Sequence, residues 1–363
     1  MAAVAAGEVA GQLLDAGARH SDLVIAAVTP GYAGALADLA EVWCRVLEPT
    51  VLLAATVSSL TLVSGSAAVA PTGSAPGVTG DGMALAAGEL GPLTGRVLDA
   101  GGLPEPGPPP FPPAGSFVLG APGALRGLLA TGGAGVLGGA AAGPVAVGGA
   151  LGPDGGRRVA GRGGAVVAYL GARPASASTS ALRPLGSPVR ADDTDGAVLA
   201  RLDGSPAFDL LVELTRDGVA ADDLPGLGAG LHVERLGDDG RPEGPPIPVV
   251  GRQAGGSGLA LAAAVPTGSR LRFLVRDAAS LRRAVTAVLD ATVGGGGRAD
   301  GAVVLAPPGT GELLGDAPLP TVPPAGLLCL ELAQQVATGV GGSGGPGLRR
   351  AGVGCLAMSG PWS

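Results

Sequence analysis

Glycine and proline interrupt this chain so often, 68 and 33 times in 363 residues, that most of it has room only for short secondary-structure elements. Together they make up about 28% of the chain, a level at which low-complexity disorder competes with folding. Their placement argues for a folded chain. Between them lie unbroken apolar runs such as Leu23-Val24-Ile25-Ala26-Ala27-Val28, the right length for buried strands. Apolar residues reach 46% and aromatic residues only 2%, so the core must be built from small side chains. Each buries little area at about 25 cal/mol per Å², which favours thin, closely packed layers.

The formal net charge is −7 and every basic residue is Arg. The Arg, Ala, Gly and Pro bias reads as the codon usage of a high-GC bacterium. With neither clustered positive charge nor stacking aromatics, nucleic acid is not an expected partner. Cys44, Cys329 and Cys355 are odd in number and far apart, which suits a reducing cytoplasm better than a disulfide framework. Residues 1–10 carry Glu8 and no positive n-region, so no signal peptide is expected. Residues 51–70 and 127–153 are uncharged over membrane-spanning lengths. The first contains Thr56, Ser58, Ser59, Thr61, Ser64 and Ser66, the second is mostly Gly and Ala, and neither has a basic flank. Both read as strand-and-turn segments, and no membrane partner is expected.

Periodicity predicts a helix over residues 3–18, a buried strand at 23–28, a turn at Thr29-Pro30-Gly31, a helix over 33–47 and a strand at 51–56. That order argues for an α/β (mixed α+β) fold with mixed β-sheets covered by helices. Residues 64–82 read as a long loop and 104–113 as a proline-rich connector. Strands are expected at 83–87, 117–119, 145–147 and 165–170, with a helix at 123–130. A second structural unit is expected from residue 200. It has a helix at 207–214 behind Pro206, strands at 231–236, 247–250, 259–263 and 271–275, and a helix capped by Asp277. A strand at 302–305, a helix over 327–336, a mobile glycine-rich stretch at 339–347 and a strand at 353–357 complete the expectation.

Catalytic signatures are sparse. Pro307-Pro308-Gly309-Thr310-Gly311 follows an expected strand like the core of a phosphate-binding loop. Glu312 and Leu313 then stand where that loop needs Lys and Ser or Thr, and a carboxylate there repels a nucleotide. Three G-x-G-x-x-G matches, starting at Gly133, Gly339 and Gly342, arise readily at this glycine content and lack the strand-to-helix context. No cofactor is expected. His20 and His232 are the two histidines, and no metal-ligand or nucleophile-elbow motif accompanies them. Asp192, Asp193 and Asp195, then Asp222 with Asp223 and Asp238 with Asp239, sit beside glycines and read as solvated turns. Arg183, and Arg276-Asp277 after a strand, offer guanidinium groups suited to a ligand carboxylate. The competing reading for them is a helix cap beside an ion pair.

These residues carry a resemblance. Leu182-Arg183-Pro184-Leu185-Gly186, with Val198-Leu199-Ala200-Arg201-Leu202-Asp203-Gly204-Ser205-Pro206-Ala207, resembles the "CRPIG … I-x-E-L-D-G-x-P-A" stretch of the FIST family, named for F-box and intracellular signal transduction proteins. Residues 268–277 resemble the family segment ending in Arg-Asp, and residues 22–32, 47–49, 144–149 and 164–171 are similar to its N-terminal region. The resemblance covers most of residues 20–340. It departs from the family pattern at Ala181 in place of Cys, at Ala54-Ala55-Thr56, and at Glu331-Leu332-Ala333-Gln334-Gln335.

The resemblance implies a FIST N-like domain over 20–204 and a FIST C-like domain over 205–345, flanked by an N-terminal helix (1–19) and a tail (346–363). It implies a cytoplasmic sensory protein without enzymatic activity, binding a small polar ligand, amino acid-like in the family, and passing its signal to a protein partner. Arg183, Asp203, Arg276 and Asp277 are the expected ligand contacts. The alternatives are a protein–protein scaffold that has lost the pocket, and an enzyme of hydrolase type using a loop Asp or Cys.

Overall fold

The structure is a computed structural model. It describes Gly7, Gly11 and residues 21–63, 83–88, 93–98, 114–130, 136–148, 158–160, 164–171, 175–218, 230–293, 301–311, 326–332, 335–337, 347–349 and 352–358. The chain forms two compact units, Met1–Ser180 with Ala284–Ser363, and Ala181–Arg283. This division differs from one at residue 204, because the first unit is made from both ends of the chain.

The chain enters through β1 (Leu23–Val28), a 3-10 turn (Pro30–Ala35), α1 (Leu36–Leu47), β2 (Val51–Thr56), β3 (Ser59–Val63), β4 (Met83–Gly88) and β5 (Leu93–Leu98). It continues through β6 (Gly115–Gly120), α2 (Pro122–Ala130), β7 (Val136–Ala140), β8 (Val145–Gly148), β9 (Arg158–Ala160), β10 (Ala165–Leu170) and β11 (Ser176–Ser180). Then follow β12 (Arg183–Asp195), β13 (Val198–Leu202), β14 (Ser205–Pro206), α3 (Ala207–Gly218), β15 (Leu231–Leu236), β16 (Ile247–Arg252), β17 (Leu259–Leu261) and β18 (Arg270–Val275). Last come α4 (Ala278–Val293), β19 (Gly301–Ala306), β20 (Gly326–Glu331), β21 (Gln335–Ala337), β22 (Gly347–Arg349) and β23 (Gly352–Met358). The mixed α/β expectation holds.

The first unit repeats one plan three times. In each repeat two parallel strands, β1 with β2, β6 with β7, and β19 with β20, are adjacent in a sheet. The first strand of each ends in the same turn chemistry, Thr29-Pro30-Gly31, Ala121-Pro122-Gly123 and Pro307-Pro308-Gly309. Proline fixes φ for the turn and its missing N–H costs nothing where no ladder partner exists. The residue after each second strand then donates its N–H to the last carbonyl of the first strand: Val57 to Val28 (2.9 Å), Ala141 to Gly120 (2.9 Å) and Leu332 to Ala306 (2.8 Å).

A short connector next carries the chain out of its own sheet. β3 pairs antiparallel with β20, β21 with β7, and β8 with β2, so the three repeats exchange strands in a closed cycle. Each first strand is flanked on its other side by its own returning strand, β4, β10 or β23. The resulting orders, β4-β1-β2-β8-β9, β5-β10-β6-β7-β21-β22 and β11-β23-β19-β20-β3, share one arrangement of returning, first, second and exchanged strands.

The inner faces of the three sheets meet in one apolar core. Leu23, Ile25, Leu53 and Ala55 from the first pack with Phe117, Leu119 and Val166 from the second and with Val303, Leu305, Leu328 and Leu330 from the third. The small side chains that dominate the composition suit three sheet faces converging on one axis. On the outer faces, α1 lays Leu36, Leu39, Ala40, Trp43 and Leu47 over Val24, Ala26, Leu52 and Ala54. Likewise α2 lays Ala124, Leu125 and Leu128 over Val118, Ala165 and Val167.

In the second unit every strand pair is antiparallel, and β12-β18-β15-β16-β17-β13-β14 is joined further by pairing of β12 with β13. The pairings therefore run in a ring of six strands with β14 appended. Leu185, Val189, Leu199, Leu202, Val233, Leu271, Phe273 and Val275 fill its core, together with Ala207 and Leu211 of α3.

Two sequence expectations are corrected. Residues 327–336, read as a helix, form β20 and the start of β21, because a run of Leu and Cys buried on both sheet faces has no helical stripe to present. Asp192, Asp193 and Asp195, read as turn residues, lie in β12, where a shift of register leaves the consecutive Asp192 and Asp193 both exposed to solvent. The N-terminal helix (apart from Gly7 and Gly11), the loop 64–82, the proline tract, His20, Asp222, Asp223 and the stretch 339–346 lie outside the described residues.

Candidate functional site

Arg183 and Asp277 are brought together by pairing of β12 with β18, which sets Arg183 opposite Val275. The Arg183 Nε donates to Asp277 Oδ2 at 2.5 Å, and another guanidinium N–H donates to the carbonyl of Gly218, the last residue of α3, at 2.5 Å. Asp277 is also the N-cap of α4. Its Oδ1 accepts the Ser280 N–H at 2.7 Å, and its own N–H donates to Ser280 Oγ at 3.0 Å, a reciprocal cap built with Ser at the third helical position. Burial pushes the Asp277 carboxyl upward, but the Ser280 N–H, the Arg183 guanidinium and the Ser280 hydroxyl outweigh it and hold the group below its ordinary range. Arg183 thus ties the end of one helix to the start of the next, which is the cap-and-ion-pair arrangement.

Arg276 is buried and its backbone N–H donates to Gly230 O at 2.9 Å. Asp203 lies apart from these three, in the turn after β13 at φ 45°, where its carboxylate accepts the Arg190 N–H at 3.0 Å. His232 is buried in β15 with Nδ1 3.3 Å from Gly230 O. The second unit also holds a half-buried pair, Arg272 with Glu234 at 2.5 Å across β18 and β15.

A second polar site lies in the first unit, at the carboxyl ends of the parallel strands. Ligands of open α/β sheets bind at this end, where chain reversals gather backbone groups around a crevice. Four buried polar side chains of the unit collect there: Thr29 and Thr56 at the ends of β1 and β2, Thr310 after β19, and Glu331 ending β20. Glu331 is 3% exposed, and its carboxylate accepts N–H groups from Gly309 (2.8 Å) and Gly311 (2.7 Å). The loop that resembled a phosphate-binding turn therefore does collect an anion, the chain's own. Gly309 makes this possible by adopting φ +79°, a conformation that side chains resist.

The strand-exchanging connectors bond two of these strand ends, each at its own junction. The Ser58 N–H donates to Glu331 O at 3.0 Å, and the Ala142 N–H donates to Thr56 O at 2.7 Å. The Thr56 hydroxyl donates to Pro144 O at 3.1 Å, and a Cβ on Gly143 would stand 3.1–3.2 Å from the Thr56 side chain. Thr310 donates its hydroxyl to Pro307 O.

Cys329, two residues before Glu331, has its thiol pushed far up by burial and by the Glu331 charge. Burial pushes Cys355 up to about 12, partly offset by the Thr292 hydroxyl, which donates to its sulfur at 3.2 Å. Among the described residues, no three His, Cys, Asp or Glu side chains gather as a metal site. No described helix is long and apolar enough to cross a membrane.

Sequence reasoning noticed residues 307–311 but missed Glu331 as their companion. The available signal was the thrice-repeated Pro-Gly after an apolar strand. No protein-family model matches the chain, and no curated protein matches it.

Proposed function

We propose that the protein is a non-catalytic sensory protein of FIST type that binds a small polar ligand at the carboxyl ends of the parallel strands of its first unit. The observation that carries this reading is the buried Glu331 carboxylate held by the 307–311 loop, at a strand end where the Ser58 N–H also bonds the Glu331 backbone carbonyl. One segment at which the chain departs from the family pattern begins at Glu331 itself, so that departure falls where a change of ligand would be written. The buried, protonated thiols of Cys329 and Cys355 fit binding better than nucleophilic chemistry, because the thiolate is the reactive form. Arg183, Arg276 and Asp277 move in this reading from ligand contacts to framework. A cytoplasmic setting and output through a protein partner belong to the same proposal.

A thermal-shift screen with amino acids, amines and small carboxylates tests it. A ligand at 100 times its Kd adds about 2.7 kcal/mol of stability. Binding by wild type that Thr310→Val weakens supports the site.

A scaffold without a ligand is the second reading. Val57 and Leu332, with the half-buried Ala141 packed against the same cluster, close the axis of the core at this end with apolar groups. No stabilisation by any compound, with capture of one defined protein, would establish it instead.

A further inference from the structure

We propose that Glu331 is the specificity-determining charge of the carboxyl-end site and that it selects ligands bearing a primary ammonium group; this rests on the binding reading above. The threefold plan supplies an internal comparison. Thr56, Ala140 and Glu331 each end the second strand of their repeat, and the next residue of each makes the same backbone bond, at 2.8–2.9 Å. Ala140 closes that junction with a methyl group and Thr56 with a hydroxyl. The fold therefore does not require a carboxylate at the third position.

A carboxylate held at 3% exposure is costly without a countercharge. Two backbone N–H groups occupy one acceptor position on each oxygen, and a second on each remains. Among the described residues, none forms an ion pair with Glu331. The Thr310 hydroxyl, which lies between the two N–H donors in the chain, gives its proton to the Pro307 carbonyl and presents only oxygen lone pairs. Among the described residues, these two backbone N–H groups are the donors bonded to the carboxylate, and neither carries a charge. An ammonium group brings three donors and the missing charge, whereas a carboxylate or phosphate would face Glu331 with like sign.

Calorimetry on the full chain tests this with α-amino acids and aliphatic mono- and diamines, each beside its hydroxyl analogue. The expected result is that an amine binds wild type on the order of ten- to a hundredfold more tightly than its hydroxyl analogue, the scale of a hydrogen bond to a charged group. Glu331→Gln should abolish that preference, read as the amine-to-alcohol affinity ratio of the variant. Should the variant fail to fold, the amine-to-alcohol ratio on wild type reads the same contact. Binding of a small molecule with equal affinity for both analogues, or a preference that survives Glu331→Gln, overturns this inference and leaves the binding reading standing. No binding by any compound overturns both.

Discussion

Arg183 and Asp277 meet at 2.5 Å, and the same guanidinium reaches the last carbonyl of α3. One side chain therefore satisfies two helix ends, a C-terminal carbonyl and an N-capping carboxylate. Arg183→Met should destabilise the protein by about 1–3 kcal/mol, the upper end limited because the Arg183 side chain is 27% exposed. Asp277→Ala should cost more, since it also removes the cap of α4. Urea denaturation, read from the midpoint at constant slope, measures both.

Stability should fall with acid in a window that Asp277 helps to set. Its carboxyl is held below the ordinary value of 3.8, so the folded state binds its proton less tightly than the unfolded chain does. The contribution is complete above that ordinary value and disappears as pH drops through the lowered folded-state value. Asp277→Asn should flatten the wild-type stability curve on this acid side. An unchanged curve would show that other carboxylates control acid unfolding.

Part of this fold was readable in advance, and the reason is physical. β1, α1 and β2 follow from a six-residue aliphatic run, a helix with one apolar face and a second run, all local signals. β20 was misread because Leu327, Leu328, Cys329 and Leu330 are buried on both faces, which leaves no alternation to separate strand from helix. β12 was missed for the opposite reason, because Arg190, Asp192 and Asp193 give its exposed side the look of a turn. Arg183 and Asp277 were picked out together, but only the pairing of β12 with β18 reveals that they bind each other. The Glu331 site was illegible because residues 309 and 331 meet through the pairing of β19 with β20, and Ser58 reaches it through the exchange of strands between repeats.

Thiol chemistry should separate the three cysteines. Cys44 is half-buried, whereas Cys329 and Cys355 are buried with their thiols held neutral. Titration of the native protein with a disulfide reagent near pH 8 should modify no residue other than Cys44, and unfolding should release the other two. Rapid native labelling of Cys355 would contradict the packing of α4 on β23 through Thr292.

Gly138 lies opposite Val118 in the β6–β7 pair, and a Cβ there would stand 1.9 Å from the Val118 carbonyl oxygen. Backbone must move to admit it. Gly138→Ala should destabilise by about 3 kcal/mol, at the upper end of overpacking penalties. Gly34→Ala, which meets nothing within 4 Å, serves as the control. Thermal melts of the two variants give the comparison.

The strand exchange has a consequence during synthesis. Leu62 pairs with Leu328, so β3 waits during synthesis for a segment made long after it. Until then β3 is an aliphatic edge without a mate, open to pairing with neighbouring nascent chains. Such a protein ought to lean on chaperones while it is being made and to aggregate when truncated ahead of its third repeat.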